Sequence, residues 1–438
     1  MGAEQQVVYG ATETVGDRPN VKSLLARLDQ GFFSGAGFWS MVDQGAVSAG
    51  NFFTAILLAR YLSPSEYGIY ALLFALMLFM NYLNSAVIVY GLSLHGAVGS
   101  EVELRSLAGG SLVLATGLAL ILGLATGSVA AYFHRAFLAP LILLALLFWQ
   151  LQETTRRALM CRLRFREAVG GDALSYLGQV ACIAFLFFGH RLTITSAFGA
   201  IAATSAAAAL LQAYQLKLTP PDFRGAFRLF PKFWGAGRWA LLVGITQAFI
   251  GQALLWFLAF RGIAEVASFQ SVLNLVRGTN PVMFAMGSVL LPTVAGLQKG
   301  SGGGLRVARR YGLLGACLLL PCYAVIFAFP GMVLRLLYGA SSPYLLSGTE
   351  VRVLVIGSAL AYVAHILTMY YFGLSRSDVV FHCELVAAAT AVVGGLLLVT
   401  REGVLGAAVA YDLIYAAEAA AFIWYLRVSA PAALARQE

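Results

Sequence analysis

Charged side chains are scarce in this chain. Only 11% of its 438 residues are Asp, Glu, Lys or Arg, whereas 60% are hydrophobic, and the mean hydropathy is +0.80. A soluble domain carries about 25% charged residues, so this composition cannot cover a water-facing surface. The chain also lacks a polar segment long enough for a Rossmann or glycosyltransferase domain. The sequence therefore predicts an all-α integral membrane protein.

The residue spacings that other kinds of site require are also missing. The five cysteines show no CxxC or CxxH spacing, so neither a zinc site nor a disulfide framework is predicted. There is no nucleotide-binding loop and no Ser-His-Asp order. Residues 1–37 lack the apolar core and cleavage site of a signal peptide, so we expect the first membrane span to remain in the mature protein. Neither a metal nor a cofactor is expected.

Apolar runs of about twenty residues can cross the hydrocarbon as helices, and the sequence contains twelve of them. Spans 1 to 12 are predicted at residues 38–60, 66–93, 107–132, 137–158, 169–190, 193–216, 236–260, 264–292, 310–330, 350–374, 378–399 and 403–426. They form an N-lobe (38–216) and a C-lobe (236–426), with a linker at 217–235 and tails at 1–37 and 427–438. An offset of 199 residues superposes "PSEYGIYA" on "IAEVASFQ", which predicts two six-helix lobes related by a pseudo-two-fold axis along the membrane normal.

Basic residues set the predicted orientation. Most of the 29 Lys and Arg residues fall in the tails and in the loops that follow even-numbered spans, so both termini are expected in the cytoplasm. Two basic amphipathic stretches precede the lobes, "VKSLLARLDQGFF" from Val21 and "FRGAFRLFPKFW" from Phe223, and both are predicted as interfacial helices. The net charge of +9 therefore indicates contact with anionic lipid headgroups, and nucleic acid is not an expected partner.

Polar residues lie on single faces of several otherwise apolar spans. In span 1, Asp43, Asn51 and Thr54 recur at helical spacing, and spans 2 and 7 add further amides. An uncompensated polar stripe in lipid costs several kcal/mol, so these faces must line a wet cavity or pack on other polar helices. The residues predicted to bind substrate in such a cavity are Asn51, Asn81, Asn84, Gln252, Gln270, Asn274 and Arg277.

Arg277 lies near the middle of span 8 with no acidic residue within a turn or two on its own helix. Its counter-charge must therefore come from another helix or from a ligand. The planar donors and permanent charge of arginine suit phosphate. The alternative is a structural ion pair, for instance with Asp412.

Four acids are candidates for coupling transport to H+ or Na+, because a buried carboxylate can take up and release a cation as its exposure changes. They are Asp43, Glu384, Asp412 and Glu418. The alternative for each is an ion pair with a cytoplasmic arginine, and Glu153 and Asp172 are better explained that way. Both neighbour the run "TTRRALMCRLRFREAVGGD", whose arginines are predicted to form a headgroup-facing loop.

The string "ILLARYLSPSEYGIYAL" from Ile56 resembles the junction of spans 1 and 2 in Wzx-type polysaccharide flippases. These belong to a superfamily that also contains the lipid II flippase and the multidrug and toxin extruders. "VDQGAVSAGNFF" and "YYFGLSRSD" resemble the same family. The resemblance implies two lobes, a V-shaped cavity lined chiefly by spans 1, 2, 7 and 8, and alternating access. It also implies transport of polyprenyl-diphosphate-linked oligosaccharides to the periplasmic leaflet.

The sequence therefore favours a flippase of the bacterial inner membrane that serves export of O-antigen, capsule or exopolysaccharide, and not an enzyme. Expected partners are the lipid-linked oligosaccharide, membrane lipids, a polysaccharide polymerase and a chain-length regulator. One alternative is a cation-coupled drug antiporter, whose cavity would be net acidic. The other is a membrane-embedded polymerase or ligase, which would present catalytic Arg and His on a long periplasmic loop.

Overall fold

A computed structural model describes residues 36–97, 100–218, 223–297 and 303–434. These residues form helices and short connections, and no strand occurs among them. The prediction of an all-helical membrane fold is confirmed. The predicted interfacial helix that begins at Val21 lies outside the described residues.

The helices follow the predicted spans in order. Span 1 is Ala36–Tyr61, span 2 is Pro64–Gly96, span 3 is Glu101–Tyr132, span 4 is Ala136–Met160, span 5 is Phe165–Phe188 and span 6 is Ile194–Leu216. Span 7 is Phe223–Ala259, span 8 comprises Ile263–Arg277 and Asn280–Ala295, span 9 is Gly303–Ala328 and span 10 is Gly348–Gly373. Span 11 is Ser377–Gly394, extended by a π-helical turn at Gly395–Val399, and span 12 is Thr400–Leu434.

By length and composition alone, nine helices in the described part of the chain can cross a membrane. One of these, Ser377–Val428, contains both span 11 and span 12. Span 1 is not among these nine because Asp43, Gln44 and Asn51 lower its hydropathy, and span 8 is not because each of its two helices is too short to cross a membrane alone. The predicted count of twelve thus depends on these two spans, one of low hydropathy and one made of two short helices.

Span 8 is two helices, which corrects the prediction of one continuous span. The first helix ends at Arg277 and the second begins at Asn280. Pro281 lacks the N–H that would bond to the carbonyl of Arg277, and its ring would collide with that carbonyl in a continuous helix. The break places Arg277 at a helix end inside the membrane region.

Span 7 is longer than predicted. The amphipathic segment from Phe223 continues without interruption into the apolar span, so residues 223–235 do not form a separate interfacial helix. Phe233 is fully buried, and its ring stacks on His95 at 6.2 Å between ring centroids. Gly91 and Gly110 of the N-lobe leave room for this contact and for Leu229. The segment therefore packs on spans 2 and 3 of the N-lobe.

The lobes meet along spans 2 and 8 near one end of the molecule. Span 2 begins at Pro64 and span 8 begins at Ile263, which are 199 residues apart, the offset of the predicted repeat. Gly68 lies directly against the backbone of Ile263, and a side chain at Gly68 would not fit. We call this end, where span 1 ends and span 2 begins, the outer face, and the opposite end the inner face.

Gly403, in the first turn of Thr400–Leu434, reverses the chain, so the membrane-crossing part of span 12 follows it. Its φ of 57° and ψ of −125° are accessible to glycine and strained for other residues. A Cβ here would also meet the carboxylate of Glu265, which accepts a hydrogen bond from Arg261 at 3.1 Å. The turn is fixed both by backbone conformation and by this neighbouring pair.

Gly403→Ala is therefore expected to destabilise the protein by about 1–3 kcal/mol, the usual cost of a residue held in a sparsely populated backbone region. The midpoint of thermal unfolding in detergent measures this loss. Gly199→Ala is the matched control, because a Cβ at Gly199 meets nothing within 4 Å. An unfolding midpoint as high as that of the control would show that the turn tolerates a side chain.

Candidate functional site

A cavity of about 740 Å³ lies between the two lobes. Spans 1 and 2 form its N-lobe wall, and spans 7, 8, 10, 11 and 12 form its C-lobe wall. Its lining extends from Tyr67, near the outer end of span 2, to Ser288, near the inner end of span 8. Phe284 and Ser288 are exposed although they line the cavity. At the other end of the lining Tyr67 and Asn274 are buried, so the space is closed toward the outer face and accessible toward the inner face.

Five of the seven predicted substrate-binding residues line this cavity. These are Asn51 on span 1, Gln252 on span 7, and Gln270, Asn274 and Arg277 on span 8. Two do not line it. On span 2 the lining positions recur at helical spacing from Tyr67 to Tyr82, a series that leaves out Asn81 and Asn84. Neither asparagine is placed in the cavity wall, and Asn84 is fully buried within the protein.

Arg277 presents its guanidinium to the cavity from the broken end of span 8. Its Nη2 donates a hydrogen bond to the carbonyl oxygen of Gly251 at 3.2 Å. Among the residues that the structure describes, no carboxylate lies within salt-bridge distance of Arg277, so the ion pair considered with Asp412 does not form. The remaining donors of the fork are available to a ligand.

Two of the four candidate coupling acids also line the cavity. Glu384 of span 11 is 2% exposed and Glu418 of span 12 is 7% exposed. Gln247 of span 7 donates a hydrogen bond to Oε1 of Glu384 at 2.6 Å. Neither acid forms a salt bridge within the described ranges. A carboxylate buried in this way needs a proton or a cation to offset its lost hydration.

Asp43 lies in a different place. It is fully buried in the inner half of the N-lobe, where its Oδ2 is 2.6 Å from Nη2 of Arg156. Arg156 also contacts Glu153 at 2.9 Å and Asp172 at 2.5 Å, so one guanidinium joins three carboxylates. Gln152 donates to the second oxygen of Asp172 at 2.7 Å. We call Asp43, Glu153, Arg156 and Asp172 the N-lobe ion cluster.

The cluster corrects two predictions. Asp43 is paired with an arginine, which is the alternative considered for it, and it does not line the cavity. Arg156 belongs to span 4 and is 4% exposed, so it is not part of a headgroup-facing loop. The pairing predicted for Glu153 and Asp172 does occur. The ion cluster joins spans 1, 4 and 5, so its role is to hold these three helices together.

Asp412 also lies outside the cavity, although its neighbours on span 12 do not. Tyr411, Tyr415 and Glu418 line the cavity at spacings of four and three residues, and Asp412 falls off that face beside Gly357. Helical periodicity also puts Asp412 off the face that carries Tyr411, Tyr415 and Glu418. It leaves Glu384 and Glu418 as the coupling candidates with access to the central space.

Sequence reasoning missed several residues of the site. Tyr67 and Tyr82 contribute hydroxyl groups to the N-lobe wall, and Gln247, Ser358 and Thr368 contribute polar groups to the C-lobe wall. The available signal was the helical spacing of Tyr67, Tyr70 and Phe74. That spacing is equally typical of a packed aromatic face, so it did not distinguish the two.

Comparison with solved structures identifies the fold. An inward-facing MATE-family multidrug transporter of the MOP superfamily superposes with a TM-score of 0.72 and 16% identity, covering 89% of this chain and 98% of the other. The lipid II flippase MurJ in an inward closed conformation gives 0.70 and 14%, covering 89% and 87%. A MOP-superfamily transporter from Pyrococcus furiosus gives 0.60 and 14%, covering 94% and 96%. The chain therefore has the fold of MOP-superfamily membrane transporters.

Comparison of the sequence with protein families gives a more specific assignment than the fold does. The profile of the polysaccharide biosynthesis protein family matches residues 57–342. This chain belongs to that family, and its predicted likeness to polysaccharide flippases of the MOP superfamily is confirmed. Among curated protein sequences, none matches the chain significantly.

Proposed function

We propose that this protein is a flippase that moves polyprenyl-diphosphate-linked oligosaccharides from the cytoplasmic to the periplasmic leaflet of a bacterial inner membrane. The single observation that carries the proposal is Arg277, a cation without a carboxylate partner among the described residues, in a cavity between two lobes. Membership of the polysaccharide biosynthesis family supports the substrate class. The product would serve the export of O-antigen, capsule or exopolysaccharide.

Different parts of the cavity suit different parts of this substrate. The diphosphate binds Arg277, where the second helix of span 8 begins at cavity-lining Asn280 and adds the partial positive charge of a helix N-terminus. The sugars contact uncharged polar groups such as Asn51 and Gln252. The polyprenyl tail stays in lipid, because moving it into a polar space is unfavourable. The exposed Phe284 and Ser288 support an exit for the tail on that side of the cavity.

Glu384 and Glu418 are proposed to couple transport to an H+ or Na+ gradient. We expect that changing both to Gln leaves protein in the membrane but removes the response of translocation to an imposed pH or Na+ gradient. Reconstituted vesicles with each gradient provide the measurement. Glu402→Gln is the control, because Glu402 is exposed at the outer end of span 12. A double variant that responds to the gradients as the control does would exclude this pair from coupling.

A drug-cation antiporter is the second candidate, and one observation favours it. With both acids ionised, Glu384 and Glu418 outweigh Arg277, so the cavity carries the net negative charge expected for an organic cation. Under the flippase proposal the two acids are neutralised when the anionic substrate binds. The two candidate functions therefore differ in the charge of the ligand that the cavity accepts, which is negative for the flippase and positive for the antiporter.

The deciding experiment uses purified protein in vesicles. Lipid-linked oligosaccharide is placed in one leaflet, and its appearance in the other is followed with a membrane-impermeant glycosidase. The expected result is protein-dependent exposure of the glycan together with no accumulation of a fluorescent organic cation. Cation accumulation without glycan exposure would replace the proposal with the antiporter.

A further inference from the structure

The outer end of the cavity contains a hydrogen bond that joins the two lobes. Nδ2 of Asn274, in the last turn of the first helix of span 8, donates to the hydroxyl oxygen of Tyr67 at 2.7 Å. Tyr67 lies in the first turn of span 2, so the bond crosses from the C-lobe to the N-lobe. Both residues line the cavity, Tyr67 with no exposed surface and Asn274 with 7% exposed. The bond thus lies where the cavity meets the closed outer face.

The groups around this bond hold it in one geometry. Gln270 donates from Nε2 to Oδ1 of Asn274 at 2.6 Å, which fixes the orientation of the Asn274 amide. The ring of Tyr67 packs on Tyr344 at 6.3 Å between centroids, and Tyr344 packs on Tyr338 at 5.5 Å. Tyr338, from the short helix Pro330–Tyr338, donates to the carbonyl oxygen of Ser271 at 2.7 Å.

The outer face cannot open while these contacts persist. Separation of spans 2 and 8 would break the bond between Asn274 and Tyr67, which is buried in the closed arrangement. An intramolecular hydrogen bond is a net stabilising contribution even when water hydrates the separated groups, so the closed arrangement is favoured until another oxygen takes the place of the Tyr67 hydroxyl. That oxygen must come from the cavity side, because Gln270 and Asn274 both face the cavity.

A sugar hydroxyl has the required chemistry. It can accept from Nδ2 of Asn274, as the Tyr67 hydroxyl does, and it can also donate to an amide oxygen. A diphosphate held at Arg277, closer to the inner face, leaves the attached sugars to extend along span 8 toward the outer face, where Asn274 and Gln270 precede Arg277 by one and two turns. Replacement of one hydroxyl by another keeps the number of hydrogen bonds constant.

We propose that the bond between Tyr67 and Asn274 locks the outer face, and that the glycan of the substrate opens it by replacing the Tyr67 hydroxyl at Asn274. Asn274 and Gln270 then act as sugar sensors as well as binding residues. The inference about the glycan rests on the proposed function. The inference about the lock rests on the contacts alone.

Spin labels on the outer face test the lock. Phe188 of the N-lobe and Leu346 of the C-lobe are 77% and 94% exposed, and cysteines at these positions in a variant without the native cysteines would carry the labels. We expect Tyr67→Phe to raise the ratio of long to short distances about tenfold without ligand, which corresponds to about 1.4 kcal/mol. Asn274→Ala removes the other partner and is expected to give the same increase.

Tyr70→Phe is the matched control, because Tyr70 also lines the cavity one turn from Tyr67 and takes no part in the bond. It should retain the wild-type distance distribution. The double variant Tyr67→Phe with Asn274→Ala should shift no further than either single variant. Distances that are unchanged in both single variants would overturn the lock.

The opening step is tested with two probes, polyprenyl diphosphate without sugars and polyprenyl diphosphate carrying an oligosaccharide. Both should raise the unfolding temperature of the wild-type protein, and only the second should lengthen the distances. Equal lengthening by both probes would overturn the glycan trigger. Failure of both probes to raise the unfolding temperature would overturn the proposed function and, with it, the glycan trigger. The lock would still be tested by the distances measured in Tyr67→Phe without ligand.

Discussion

Replacement of Arg277 by alanine is expected to abolish translocation without reducing the amount of protein in the membrane. Arg277 donates one hydrogen bond to Gly251 and forms no salt bridge within the described part of the chain, so few protein contacts are lost. The substrate diphosphate, by contrast, would lose a bidentate charged partner. Hydrogen bonds to charged groups contribute about 1.5–3 kcal/mol, so apparent affinity should fall about 10- to 150-fold.

Two further variants make this prediction specific. Arg277→Lys retains the charge but loses the planar fork, and it should keep part of the activity. Arg335→Ala should be fully active, because Arg335 is exposed in the short helix at the outer face, away from the cavity. Translocation is measured by glycan exposure in vesicles, with protein amount measured on the same membranes. Normal translocation by Arg277→Ala would remove the role that we assign to this residue.

Replacement of Arg156 by alanine is expected to prevent stable folding of the N-lobe. The change would leave Asp43, Glu153 and Asp172 buried with their common cation removed. Loss of one partner from a buried ion pair costs about 3–5 kcal/mol, which is a large share of the stability of a typical protein. The yield of monodisperse protein in detergent and its unfolding temperature report the loss.

The adjacent arginine provides the matched control. Arg157 pairs with Glu153 at 2.6 Å, but its side chain is 44% exposed, so Arg157→Ala should cost no more than about 1 kcal/mol. A quadruple variant in which Arg156 is Met and the three acids are Asn or Gln should recover stability, because the uncompensated charges are gone. If Arg156→Ala unfolds at the same temperature as Arg157→Ala, the ion cluster does not stabilise the N-lobe.

The sequence indicated which helices have polar faces but not which residue each polar group meets. Periodicity correctly grouped Gln270, Asn274 and Arg277 on one face of span 8, because those residues are close in the chain and share one helix. It could not pair Asp43 with Arg156, which lies 113 residues away. That contact depends on how spans 1 and 4 pack, and a single sequence contains no signal for it.

The errors on span 2 have a related cause. Asn81 and Asn84 were assigned to the cavity because amides in a membrane span usually avoid lipid. Lipid can also be avoided by burial inside the protein, as Asn84 shows. Amphipathic patterning also failed at Phe223, where a segment predicted to lie on the membrane is instead the start of span 7 and packs on the N-lobe.

The central claim is that one cavity opens to alternate sides of the membrane. Ser358 lies in the wall of the cavity on span 10, and a single cysteine there, in a variant without native cysteines, reports access to the cavity. The most direct measurement is its labelling by a membrane-impermeant maleimide applied to either side of sealed vesicles. We predict labelling from the inner side without substrate and labelling from the outer side when lipid-linked oligosaccharide is supplied. Labelling from one side only under both conditions would contradict alternating access.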